Sequence, residues 1–202
     1  MLKESLYYSK ILLFGEYGII HDSMGLSIPY NDYNGKLLFS TNPDENSIDS
    51  NRKLEKFFLH LKGLEAKGKL PCALNLNKFR KDLDKGMHFD SSIPQGFGVG
   101  SSGAIVAAIY DNYSVDKITS DANMSNENFI ELKKIFGTLE SYYHGKSSGL
   151  DPLICYLNLP VLIKSKSEVG TVGLPDTSTG KGAIFLMNTG TTGKTQPLVQ
   201  HF

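Results

Sequence analysis

From residue 7 to residue 14 the chain reads Tyr-Tyr-Ser-Lys-Ile-Leu-Leu-Phe, a run of aromatic and branched apolar residues that breaks at Gly15 and predicts a strand. Apolar patterning continues over 18–21 and returns over 26–30 and 36–40, two strands separated by the turn-forming run Asn31-Asp32-Tyr33-Asn34-Gly35. Residues 42–51 are polar, contain Pro43 and three acids, and read as a surface loop. Over 52–65, Leu54, Phe57, Phe58, Leu61 and Leu64 recur at helical spacing. Residues 72–76 and 87–93 read as further strands joined by a charged connector at 78–85. Past a glycine-rich stretch at 96–103, residues 104–113 have helical composition. So do residues 126–143, where Phe129, Leu132, Ile135, Phe136 and Leu139 form an apolar stripe. Strand character returns at 154–163 and 183–187. Thr195 resembles a helix N-cap with Pro197 in the first turn, and the sequence stops about one turn into that apolar face. The expectation is therefore a mixed α+β domain from a longer protein.

Composition narrows the function classes. The chain has 202 residues, with 21 basic side chains against 21 acidic ones. That balance lacks the basic excess of a nucleic-acid binder and argues against an anionic membrane surface as partner. No apolar run approaches the roughly 20 residues that span a bilayer. Charged Lys3, Glu4 and Lys10 stand where a secretory signal would be apolar. Cys72 and Cys155 are too few for a disulfide framework and lack metal-ligand spacing. The reading is a soluble, cytoplasmic and globular protein, and composition alone does not say what it does.

The segment Pro94-Gln-Gly-Phe-Gly-Val-Gly-Ser-Ser-Gly-Ala104 follows a strand and opens a helix. Its glycines permit left-handed dihedrals and let backbone N–H groups approach a ligand, at a helix end that favours negative charge. Three readings compete. The glycines can serve only a tight turn. Gly98 to Gly103 also fits the dinucleotide pattern G-x-G-x-x-G, although that pattern belongs to a first βαβ unit and here several strands precede it. The preferred reading is a nucleoside triphosphate cradle of a kind other than the Walker loop. In it Gly96, Gly98, Val99, Gly100, Ser101, Ser102 and Gly103 would contact the phosphates, and a serine hydroxyl can ligate Mg²⁺.

This segment resembles the central signature of the GHMP kinases (galactokinase, homoserine kinase, mevalonate kinase, phosphomevalonate kinase), P-x-x-x-G-L-G-S-S-A-A. Here Val99 stands for Leu and Gly103 for Ala. Two further segments resemble the same family. Lys10-Ile-Leu-Leu-Phe-Gly-Glu-Tyr-Gly-Ile-Ile-His21 is similar to K-x-x-L-x-G-E-H-x-V, with Tyr17 at the histidine position, a form seen in phosphomevalonate kinases. Glu140-Ser-Tyr-Tyr-His-Gly-Lys-Ser-Ser-Gly-Leu-Asp151 is similar to the mevalonate kinase segment E-x-x-x-H-G-x-P-S-G-x-D, with Ser147 in place of proline.

The resemblance implies ATP and Mg²⁺ as cofactors, with Ser102 and Glu140 on the metal, Asp151 as base toward an acceptor hydroxyl, and Lys10 supporting it. Chemically, Lys10 inside an apolar strand needs an anionic partner, and Mg²⁺ takes few protein oxygens. An aspartate beside a lysine can accept a proton from an attacking alcohol. Glu16, Tyr17 and His144 are expected near the acceptor. So is Thr195, in a passage at 188–195 that nearly matches a P-loop, with Asn188 at the first glycine position.

The implied fold is the GHMP N-terminal domain, of the ribosomal-S5-second-domain type, over 1–180. A ferredoxin-like C-terminal domain would be largely missing, with 181–202 as its beginning. The implied activity is ATP-dependent phosphorylation of a small alcohol, foremost mevalonate to 5-phosphomevalonate in isoprenoid biosynthesis, with a homodimer as the assembly to look for. Phosphomevalonate kinase or another GHMP kinase is the alternative within the family. A non-catalytic nucleotide-binding fragment is the alternative from another class.

Overall fold

The structure is a computed structural model that describes residues 2–3, 5–15, 18, 23–120, 124–165, 167–173, 186–187 and 190. Among the described residues five strands form one antiparallel sheet. β1 (Tyr7–Phe14) pairs with β2 (Gly25–Phe39). The first part of β2 also pairs with β4 (Val161–Ser165), its last part pairs with β3 (Met87–Ser91), and β5 (Glu168–Thr171) pairs with β4. The helices are α1 (Glu45–Ala66), α2 (Leu76–Asp84), α3 (Ser101–Tyr113), α4 (Asn126–His144) and α5 (Leu150–Leu157). α3 and α5 lie against each other and against β1, α1 against β3, and α4 against β5. The α+β class expected from the sequence is the class observed.

Several boundaries differ from the sequence expectation. The turn at 31–35 does not break β2. The pairing steps from Tyr8 opposite Asn34 to Ser9 opposite Tyr30, so residues 31–33 bulge out of a continuous strand. The loop expected over 42–51 is largely helix. Asp44 caps α1, its carboxylate accepting from the Ser47 N–H at 2.8 Å while the Ser47 hydroxyl returns to the Asp44 N–H at 2.9 Å.

The strand expected over 72–76 is reduced to an isolated bridge between Leu74 and Ser114, and the connector expected at 78–85 belongs to α2, capped by the Asn75 side chain, with Leu76, Phe79 and Leu83 buried on one face. The strand expected over 154–163 begins only at Val161. The preceding residues form α5, which ends at a left-handed Asn158. Residues 183–185 of the strand expected over 183–187, and the helix start at Thr195, lie outside the described residues.

The core runs through Phe57, Leu61, Phe79, Met87, Tyr110, Phe136, Leu139 and Leu153, all at most 1% exposed. Tyr110 meets Phe136 and Tyr156 edge-on, joining α3, α4 and α5 around one aromatic cluster. The rigid contact between α3 and α5 matters most for the site, because their N-terminal turns carry its residues. Among the described residues no helix is long and apolar enough to cross a membrane.

Candidate active site

The glycine-rich loop is anchored to β1, with the Lys10 N–H donating to the Val99 carbonyl at 3.0 Å. Gly96, Gly98 and Gly100 all adopt positive φ, between 71° and 86°, a region that L side chains rarely visit. Gly100 is additionally confined, since a Cβ there would lie 2.9 Å from Lys10 Cγ and 3.3 Å from Cys155 Sγ. The loop therefore turns tightly over β1 and delivers the chain into α3. Gly100 is the N-cap of that helix and offers no side-chain cap, whereas α1, α2 and α4 are each capped by a side chain. The first turn of α3 thus presents uncapped amides beside the Ser101 and Ser102 hydroxyls, an arrangement suited to anionic oxygens.

Gly103 has a different task from the loop glycines. A Cβ on it would stand 2.8 Å from the Asp151 carbonyl carbon and the Pro152 nitrogen. Only glycine lets α5 approach α3 so closely, and that approach sets Asp151 beside the loop. The Lys10 ammonium lies 2.9 Å from Asp151 Oδ1. Its side chain is 8% exposed, against 37% for that of Asp151. The cation is held inside while the carboxylate remains accessible, as a base that meets a substrate must be.

Glu140, on the last turns of α4, is 3% exposed. Ser102 Oγ donates to its Oε1 at 3.0 Å, and Ser147 Oγ donates to its Oε2. Ser102 Oγ also lies 3.0 Å from His144 Nε2, so the two side chains share a hydrogen bond. Burial pushes the Glu140 carboxyl up to about 7. The Asp151 charge adds to this, and the Ser147 and Ser102 hydrogen bonds and the Lys10 charge oppose it. Behind the loop, burial raises the Cys155 thiol, which points its S–H at the Gly100 carbonyl, 3.7 Å from sulfur. Cys155 is thus a packing partner and no nucleophile.

A cleft of about 990 Å³ opens beside this cluster. It runs from the N-terminal turns of α1 past β3 and Gln95 to Ser101, Ser102, Tyr142 and Tyr143. The Lys10–Asp151 pair does not line the cleft and stands past its Ser101–Ser102 end, where α3 begins.

The residue types that the sequence singled out in three separate segments therefore meet: the glycine-rich loop, Ser102, Glu140, Asp151, Lys10 and His144. His144 stands on Ser102. Glu16, Tyr17 and Thr195 lie outside the described residues. Sequence reasoning missed the Ser147 contact to Glu140, the support of Gly100 by Cys155, and the cleft wall from α1. The Asp44-to-Ser47 capping pattern was the signal for that wall.

Residues 67–158, which include the whole loop, Glu140 and Asp151, match the family model described as the GHMP kinases N terminal domain. Over those residues the chain is similar to a GHMP kinase N-terminal domain. Its fold is similar to part of the mevalonate kinase of L. major, solved in complex with R-mevalonate. The likeness has a TM-score of 0.52 and 17% sequence identity, and covers 99% of this chain and 60% of that enzyme. A mevalonate kinase from methicillin-resistant Staphylococcus aureus is also similar, with a TM-score of 0.45, 19% identity, and coverage of 83% of this chain and 54% of that one. The chain thus spans less than two thirds of the length of either enzyme. No curated protein matches it by sequence.

Proposed function

We propose that this chain binds ATP and phosphorylates the hydroxyl of a small alcohol, with mevalonate the foremost acceptor. The observation that carries this reading is the Lys10–Asp151 pair at 2.9 Å, set at the mouth of the glycine-rich loop. Residues 1–180 would form the catalytic domain. The nucleoside would occupy the cleft, and its triphosphate would cross the α3 N-terminus toward Asp151. Gly96, Gly98, Val99, Gly100, Ser101 and Ser102 would hold phosphate oxygens through backbone amides and hydroxyls.

The residues present fit a hard divalent cation. Ser102 and Glu140 offer oxygen donors side by side, and Mg²⁺ needs only one or two protein oxygens besides phosphates and water. Bound there, Mg²⁺ would neutralise phosphate charge. Asp151 would accept the proton of the acceptor hydroxyl as its oxygen bonds to the γ-phosphorus. The bond from that phosphorus to the bridging oxygen breaks, and ADP leaves with the electron pair. Lys10 would stabilise the charge that develops on the transferring group. His144, hydrogen-bonded to Ser102, would border the acceptor, and Glu16, Tyr17 and Thr195 are proposed as further acceptor contacts.

The test is ATP turnover with mevalonate, phosphomevalonate and galactose in parallel. Turnover with mevalonate above the other two supports the reading. Preference for phosphomevalonate would move the substrate within the family, and nucleotide binding without turnover on any acceptor would replace catalysis with binding.

A further inference from the structure

Glu140 is held from two sides. Ser102 reaches its Oε1 from α3, and Ser147 reaches its Oε2 from the turn between α4 and α5. The second contact is the less expected, because the similar segment of mevalonate kinases carries proline there and proline has no side-chain donor. The Ser147 hydroxyl has one proton, which goes to Glu140, and it accepts from the Gly149 N–H at 3.0 Å. Gly149 is the N-cap of α5, whose first turn carries Asp151. One hydroxyl therefore links the buried carboxylate on α4 to the start of the helix that bears the catalytic aspartate.

The turn itself has almost no freedom to shift. Gly149 adopts a φ of 75°, and a Cβ on it would meet the Lys133 carbonyl oxygen at 2.0 Å and the Gly137 nitrogen at 2.6 Å. A Cβ on Gly137 would in turn meet the Ser147 carbonyl oxygen at 3.0 Å. Backbone thus presses on backbone from 133 to 149, and the Ser147 side chain is fixed relative to α4 by the fold.

A carboxylate on a flexible side chain must lose its rotamer freedom before it can serve as a ligand. Partners that bind its oxygens in the absence of metal lower that entropic requirement. Ser102 cannot perform this role alone, since its oxygen is itself a proposed ligand. Ser147 is not a proposed ligand, and its oxygen is already engaged by Gly149.

We propose that Ser147 is the positioning residue of the metal site. It holds the Glu140 carboxylate in one orientation and keeps it in register with Asp151. This rests on the kinase reading above, in which Glu140 faces Mg²⁺. The experiment measures Mn²⁺ binding in the presence of ADP by electron paramagnetic resonance, for the wild-type chain, Ser147→Ala and Ser147→Thr. ADP affinity in EDTA and the urea midpoint are measured alongside.

The expected result is Mn²⁺ affinity lowered about tenfold in Ser147→Ala, as is usual when a partner of a metal ligand is removed. Threonine, which keeps the hydroxyl, should restore most of it, with metal-free ADP affinity equal in all three proteins. Equal Mn²⁺ affinity in wild type and Ser147→Ala would overturn the proposal and leave the kinase reading standing. So would a threonine variant that behaves like the alanine one, or metal-free ADP affinity that falls in step with Mn²⁺ affinity. A wild-type chain that binds no Mn²⁺ with ADP would remove the kinase reading and this proposal together.

Discussion

At the scale of single residues, the site rests on two buried charged groups, Lys10 and Glu140, whose partners Asp151 and Ser102 come from distant parts of the chain. Lys10 is the clearest case: an ammonium inside an apolar strand would be prohibitive without Asp151 at 2.9 Å. In the proposed mechanism the pair has a division of labour that substitution can separate. Asp151→Asn should lower kcat by about 10²- to 10⁴-fold, the usual span for a general base, with nucleotide affinity unchanged.

Glu140 supplies a pH test. Its folded-state value of about 7 lies above the ordinary 4.5, so the folded state holds the proton more tightly than the unfolded state does. The resulting stabilisation is fully present below about pH 4.5 and is lost as pH rises through about 7, a change on the order of 3 kcal/mol. Metal-free wild type should therefore lose stability relative to Glu140→Gln between pH 5 and pH 8. Urea midpoints of the two proteins across that range check it, and parallel curves would contradict it.

At the scale of elements, what was legible in the sequence followed from clear apolar patterning with marked ends. β1 and α4 emerged within about a residue of their observed bounds, β1 because its aromatic and branched run ends at Gly15 and α4 because its apolar stripe repeats at helical spacing. α2 was hidden because six charged residues over 78–85 obscure the stripe of Leu76, Phe79 and Leu83. α5 was hidden for the opposite reason, since Leu150–Leu157 is apolar nearly all round and too short to show a helical period. The glycine-rich loop was legible because several glycines and two serines before a helix exceed what a turn requires. The Ser147 contact was not, because its partner is set by how two helices meet.

Two element-level outcomes follow. Asp44→Ala removes the α1 cap and should cost about 1 kcal/mol in chemical denaturation. Gly103→Ala places a methyl against the α5 backbone and should cost about 1–3 kcal/mol while lowering activity by displacing Asp151.

For the whole molecule, the equal numbers of acidic and basic side chains agree with the way the site would treat phosphate. Backbone amides at α3, one buried lysine and a metal would carry the compensating charge locally, so no basic surface is required. The cleft and the Lys10–Asp151 pair flank the start of α3, so nucleotide and acceptor would enter from different directions and meet there. Nucleotide held this way should stabilise the fold by about 2.7 kcal/mol at a hundredfold excess over Kd, raising the melting temperature of wild type and Asp151→Asn alike.

The most direct measurement follows phosphorus itself. Wild type and Asp151→Asn are incubated with ATP, Mg²⁺ and mevalonate, and the products are read by ³¹P nuclear magnetic resonance. A new phosphomonoester signal that rises with ADP in wild type and is nearly absent in Asp151→Asn is the expected result. Phosphomonoester formed at the same rate by both proteins, or ADP formed by wild type without any phosphomonoester, would contradict the assignment of this site to alcohol phosphorylation.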